Sequence, residues 1–125
     1  MNIDRNIKQS ISYCLKKDGP FSWSKILGFT KEELKKRLEE QFTPEMSFEN
    51  YGKVWGVSFH IPRRLYKIQR IKDPDFLRCW NLKNIKPELL EKCYRQKKKI
   101  SKKELDNYSL WDILPNGNIA KYLVE

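Results

Sequence analysis

This 125-residue sequence has a single histidine, His60, and three cysteines that form no Cys-x-x-Cys pair. Cys14, Cys79 and Cys93 are odd in number and far apart, which argues for reduced thiols and against a disulfide framework. With one histidine as the remaining soft ligand, a structural zinc site is not expected either. No apolar run approaches the roughly 18 residues of a membrane span. The opening Met1-Asn2-Ile3-Asp4-Arg5-Asn6 lacks the basic-then-apolar order of a secretory signal. The expected setting is therefore the cytoplasm, with no membrane partner. There is also no internal repeat and no low-complexity linker.

Basic charge is what the sequence has in excess. The net charge is +10 and the isoelectric point is near 9.6. Arg63, Arg64, Lys67, Arg70 and Lys72 fall within ten residues without an acid, and Lys92, Arg95, Lys97, Lys98, Lys99, Lys102 and Lys103 form a second acid-free run. The acids gather instead at Glu32, Glu33, Glu39, Glu40, Glu45 and Glu49. Such clustering predicts attraction to a polyanion, most simply a nucleic acid. A solvated lysine face that serves only solubility is the plainer alternative.

With 39% hydrophobic residues and four tryptophans, the chain can bury one modest core, so residues 1–125 read as one domain. Ile3, Ile7, Ile11 and Cys14/Leu15 recur at helical spacing and predict a helix from about Asp4 to Lys17, ended by Gly19-Pro20. Thr30-Lys31-Glu32-Glu33 is a capping box that opens a second helix, to about Gln41, with Leu34, Leu38 and Phe42 as its inner face. Val57, Phe59 and Ile61 alternate with Ser58 and His60, which predicts a strand ending at Pro62 and points His60 toward solvent or a phosphate.

Asp73-Pro74 reads as N-cap and first turn of a short helix with Phe76, Cys79 and Trp80 inside. Pro87-Glu88 reads as the start of another helix, with Leu89, Leu90, Cys93 and Tyr94 on its apolar side. Ser101-Lys102-Lys103-Glu104 is a second capping box, before Leu105, Leu110 and Trp111 as a buried face. Pro115-Asn116-Gly117-Asn118 is a turn, and Ile119–Val124 is a short strand or a docking tail.

The stretch Tyr51-Gly52-Lys53-Val54-Trp55-Gly56-Val57-Ser58-Phe59-His60-Ile61-Pro62 resembles the metal-site hairpin of phage-type HNH endonucleases, Tyr-Gly-x-Trp-His-Ile-Asp-His-Ile-Ile-Pro. Leu27-Gly28-Phe29-Thr30, Glu33-Leu34, Leu38-Glu39, Gln41-Phe42 and Met46-Ser47-Phe48-Glu49-Asn50 look like that family's lead-in. The run from Asp73 to Pro87, with Asn81-Leu82-Lys83-Asn84-Ile85-Lys86-Pro87, is similar to its Thr-Asn-Leu-Gln-Pro-Leu segment. The resemblance implies an α+β protein: a helical lead-in over 1–50, a ββα-metal core over 51–100 with a hairpin near Val54–Pro62 and a crossing helix from about Pro87, and an added extension over 101–125. Trp55, Trp80 and Tyr51 take aromatic positions of the pattern and are expected in the core.

In that family the Asp holds a divalent cation and the following His takes the proton from the attacking water; here the slots hold Gly56, Ser58 and Phe59. Ser58 is a poor ligand for a hard cation, and Phe59 cannot accept a proton. Cys93 falls at the third position, where the family has Asn or His. No metal and no cofactor are expected. Asn84 is retained, and the resemblance implies that its amide braces the backbone around the catalytic His slot. His60 is the remaining candidate base.

The cations expected on nucleic acid are Arg63, Arg64, Lys67, Arg70, Arg95, Lys97, Lys98 and Lys99, arginine being suited to bidentate phosphate contact. The first function expected is a catalytically inactive HNH-like phage-type protein that binds nucleic acid, DNA foremost, without sequence preference. Two others stand beside it: a protein-binding inhibitor of a host defence nuclease, and an active HNH endonuclease with a repositioned site.

Overall fold

Ile7, Ile11, Cys14 and Leu15 form the buried face of helix α1 (Ile3–Lys16) in the computed structural model, which describes residues 3–93, 100–115 and 120–124. The mixture of helix and strand is of α+β class. Among the described residues no helix is long and apolar enough to cross a membrane. The chain divides into two compact units, Met1–Ser58 with Lys86–Tyr94 and Phe59–Ile85 with Arg95–Glu125.

In the first unit α1 is followed by α2 (Ser24–Leu27), a single turn that sequence periodicity did not reveal. It ends on Gly28 at φ 85°, a left-handed conformation that costs glycine little and a side-chain-bearing residue more. The capping box of α3 (Lys31–Glu39) forms as expected: Glu33 N–H donates to Thr30 Oγ1 at 3.1 Å, and Thr30 N–H donates to Glu33 Oε1 at 3.0 Å. Leu34 and Leu38 are fully buried, and Phe42 is half-buried. Trp55 has no exposed surface; the rings of Phe42, Phe48 and Tyr51 surround it at 5.0, 6.3 and 5.0 Å, and its Nε1 donates to Ser47 O at 2.6 Å. Removing one such ring from water contributes on the order of 2 kcal/mol, which makes this cluster the anchor of the strand that follows.

That strand is β1 (Trp55–Phe59), and its partner is β2 (Ile85–Leu89). The hairpin expected near Val54–Pro62 thus supplies one strand, and the second arrives 30 positions later, 55 to 85. Backbone bonds from His60 N–H to Asn84 O, at 2.9 Å, and from Leu90 N–H to Val54 O, at 2.9 Å, show the pair to be antiparallel. The helix expected from Pro87 is corrected: Pro87 lies inside β2, and the helical turn α5 starts only at Leu90 (Leu90–Cys93). The reason lies in the ladder. Bonds at positions 84 and 90 put the even positions of β2 toward β1, so the nitrogen of Pro87 faces away from the pair, where a missing N–H costs nothing.

In the second unit α4 (Pro74–Cys79) begins after Asp73 with Pro74 at its first position, and Phe76, Cys79 and Trp80 are fully buried. Asp73 makes no capping bond to the helix, however; its carboxylate turns back onto the preceding loop. β3 (Ile100–Ser101) runs parallel to β4 (Leu123–Val124), Ile100 beside Leu123, so among the described residues of the strand expected over Ile119–Val124 only the last two are strand, after a 3-10 turn at Ala120–Tyr122; positions 116–118 of the turn expected from Pro115 lie outside the described residues. Helix α6 (Lys102–Asn107) buries Leu105, and Leu110 is buried just beyond it. Trp111, expected on that face, is 46% exposed with its Nε1 on Asp106 Oδ1 at 2.7 Å.

Candidate functional site

Asn84 is fully buried, and its amide is satisfied by the backbone around it. Oδ1 accepts from Ile61 N–H at 2.8 Å, and Nδ2 donates to Cys79 O at 2.9 Å and to Ile61 O at 3.3 Å. Its carbonyl accepts the N–H of His60. A buried amide with such partners fixes the chain on both sides of the His60–Ile61 peptide, because each partner would be left unpaired in the dry interior without it. Asn84 thus braces the backbone at His60 and Ile61, directly after Phe59.

His60 was expected to face solvent or a phosphate; its side chain is instead 4% exposed. Nδ1 lies 2.5 Å from Glu104 Oε1, and the ring stacks on Tyr108 at 4.2 Å with 27° between the planes. The alternation that placed it outward holds only while the strand continues, and β1 ends at Phe59. By sequence Glu104 is half of a capping box. Ser101 Oγ does accept the Glu104 N–H at 3.4 Å, while the carboxylate reaches His60.

The positions that the resemblance assigns to metal chemistry hold no suitable donors. Phe59 packs edge-on against Trp80, ring centres 4.9 Å apart at 89°. Ser58 is half-buried and neutral. A Cβ on Gly56 would sit 3.3 Å from Leu90 Cδ2, so the backbone approaches Leu90 where the family pattern has its first His. Among the described residues no group of three or more His, Cys, Asp or Glu is arranged to hold a metal ion. These side chains do not fit a divalent cation. The Cys93 side chain lies outside the described residues.

The basic segment after Ile61 has a specific internal structure. Arg63–Leu65 makes a single 3-10 turn, and Arg63 is half-buried with Nη1 on Tyr66 O at 3.4 Å. Tyr66 is buried, donates its hydroxyl to Ile113 O at 2.7 Å, and is kept protonated well above the usual tyrosine range by burial. Beyond it, acids of α4 and its cap hold the loop by its backbone. Asp75, 3% exposed, accepts Lys67 N–H on Oδ2 at 2.9 Å and Arg78 Nη1 on Oδ1 at 3.0 Å. Asp73 Oδ2 accepts the N–H groups of Gln69 and Arg70 at 2.7 and 2.9 Å, and these two bonds hold its carboxyl below the usual aspartate range. The side chains of Arg64, Lys67, Arg70 and Lys72 stay exposed.

Comparison with protein-family models, with curated proteins and with solved structures returns no match.

Sequence reasoning named the loop cations but not the residues that shape the loop, although two acids directly after an acid-free basic run were the available signal. Glu104 and Tyr108 were also missed as partners of His60; their spacing of four on one helical stretch was the only hint. Arg95, Lys97, Lys98 and Lys99 lie outside the described residues.

Proposed function

We propose that this chain is a catalytically inactive, HNH-like protein that binds nucleic acid, duplex DNA foremost, through the loop from Arg63 to Lys72. The observation that carries this reading is the division of labour at the loop: Asp73 and Asp75 bind backbone amides, while the side chains of Arg64, Lys67, Arg70 and Lys72 remain exposed. A surface evolved only for solubility has no need of a buried aspartate to shape it. A phosphate backbone does reward cations held in place, since less ordering is left to be done on binding. The inactive part of the reading rests on Gly56, Ser58 and Phe59, which offer neither a carboxylate nor a base, and on His60, whose Nδ1 is engaged by Glu104.

Binding to a duplex should be weak in sequence preference and steep in salt. Each neutralised phosphate contributes roughly 0.9 to the log–log slope, so the loop's exposed cations predict about −3.6, and steeper if Lys97–Lys99 take part. The test is fluorescence anisotropy over a salt series with the parent and with Arg64→Glu/Lys67→Glu/Arg70→Glu. Arg63 is left in place because it also bonds within the loop. Loss of binding by a folded triple variant supports the reading. A parent that ignores duplex at low salt, or a triple variant that binds as the parent does, overturns it and returns the charge to a protein partner such as a defence nuclease, or to solubility.

A further inference from the structure

Arg70, Ile71, Lys72 and Asp73 close a turn in which Asp73 N–H donates to Arg70 O at 3.1 Å, leaving Ile71 and Lys72 at its centre. Turn centres normally carry Gly, Pro, Asn, Asp or Ser, whose backbone or short polar side chains suit them. A β-branched apolar residue gains nothing there from the turn itself, and Ile71 keeps 38% of its surface exposed. Nor is its exposure an accident of a loose loop. Asp73 Oδ2 grips the N–H groups of Gln69 and Arg70, and Asp75 Oδ2 grips that of Lys67. The result is a pinned apex with an apolar side chain between two exposed cations.

We propose that Ile71 is a wedge that enters a base step of duplex nucleic acid while Arg70 and Lys72 lie on the flanking phosphates. This inference rests on the nucleic-acid reading above and deepens it from charge contact to deformation of the duplex. Apolar side chains inserted between base steps partly unstack them and kink the helix by about 20–90° toward the major groove, and Ile71 offers such a side chain between two cations. A single strand is a poorer match, because proteins that bind it stack bases on aromatic rings, and the loop's one aromatic, Tyr66, is buried with its hydroxyl on Ile113. An anionic bilayer is a poorer match too, because a surface anchor buries a broad apolar face and not one apex residue.

The experiment measures end-to-end energy transfer across a short doubly labelled duplex, beside the anisotropy series, for the parent, Ile71→Asn and Ile71→Leu. Asparagine suits a turn, so the fold is retained, and equal thermal melting confirms it. The parent is expected to bend the duplex within about 20–90°; Ile71→Leu keeps the bend, and Ile71→Asn loses it with the salt slope unchanged. A parent that binds an unbent duplex, or an Ile71→Asn variant that bends it fully, overturns the wedge and leaves the phosphate-contact reading standing. A parent that binds no duplex at all removes that reading and the wedge with it. Co-sedimentation with phosphatidylserine vesicles that Ile71→Asn abolishes, without any bending of DNA, assigns the apex to a membrane surface and overturns the proposal.

Discussion

Glu104 Oε1 lies 2.5 Å from His60 Nδ1, a contact that spans 44 positions of sequence and ties helix α6 to the residue after β1. Tyr108, four residues on, stacks on the same imidazole, so one stretch of chain presents both a carboxylate and a ring to it. The histidine that sequence reasoning offered as a base is thereby a fastening between elements of the second unit. Glu104→Gln exchanges a carboxylate for an amide that can still accept, and is expected to cost about 1 kcal/mol, the difference between a charged and a neutral acceptor. The urea midpoint should fall accordingly; an unchanged midpoint would remove the fastening role.

Asn84→Ala is expected to be among the most damaging single substitutions. It strips Ile61 N–H of its acceptor and Cys79 O of its donor inside the protein, and each buried orphan costs about 1–3 kcal/mol. Asn84→Asp keeps the acceptor but turns a carboxylate oxygen toward Cys79 O and Ile61 O in a fully buried site, so it should cost at least as much. Hydrogen exchange at the Ile61 amide is the local check: its protection should collapse in the alanine variant, and unchanged protection would remove the bracing role.

The loop should respond to acid through Asp73. The folded loop lowers the pKa of this carboxyl through the Gln69 and Arg70 N–H bonds, so the charged form is the one the loop binds. The stabilisation is complete above the ordinary value of 3.8 and is lost as pH falls through the lower folded value. Amide resonances of Gln69 and Arg70 followed by NMR should therefore titrate with a midpoint below 3.8, and Asp73→Asn should abolish the titration. Because Asp73 is solvent-facing, the change should stay within the loop; global unfolding at the same midpoint would contradict this account.

Cys14 and Cys79 are free and buried, and burial raises the pKa of the Cys14 thiol. Burial shields both from solution, and Cys14 is further withheld as thiol, so neither residue should react with Ellman's reagent at neutral pH until the chain is unfolded. Mass spectrometry after brief labelling should find both unmodified, and modification of either in the native state would show that its shelter opens readily.

Much of the local architecture was legible in the residues themselves. The stripe Ile7, Ile11, Cys14, Leu15, the Thr30–Glu33 box, the strand at Trp55–Phe59 and the Asp73-Pro74 helix start all follow from rules that act within a turn or two of chain. Ile85-Lys86-Pro87-Glu88-Leu89 also alternates apolar and charged as a strand does, but a proline followed by an acid resembles a helix start equally well. Only the pairing decided between them, by turning the Pro87 nitrogen away from β1.

The sequence by itself determined which segments are amphipathic, where the cations gather, and that Gly56, Ser58 and Phe59 bring neither a carboxylate nor an imidazole to β1. Tertiary structure alone decided what the polar side chains do. Glu104 and Asp73 sit where helix-capping logic predicts, yet their carboxylates reach His60 and the loop amides, because a buried imidazole and exposed-loop N–H groups were the partners that folding brought within bonding distance. A carboxylate accepts from whichever donor is near and correctly aimed, and nearness across 44 positions is a property of the fold.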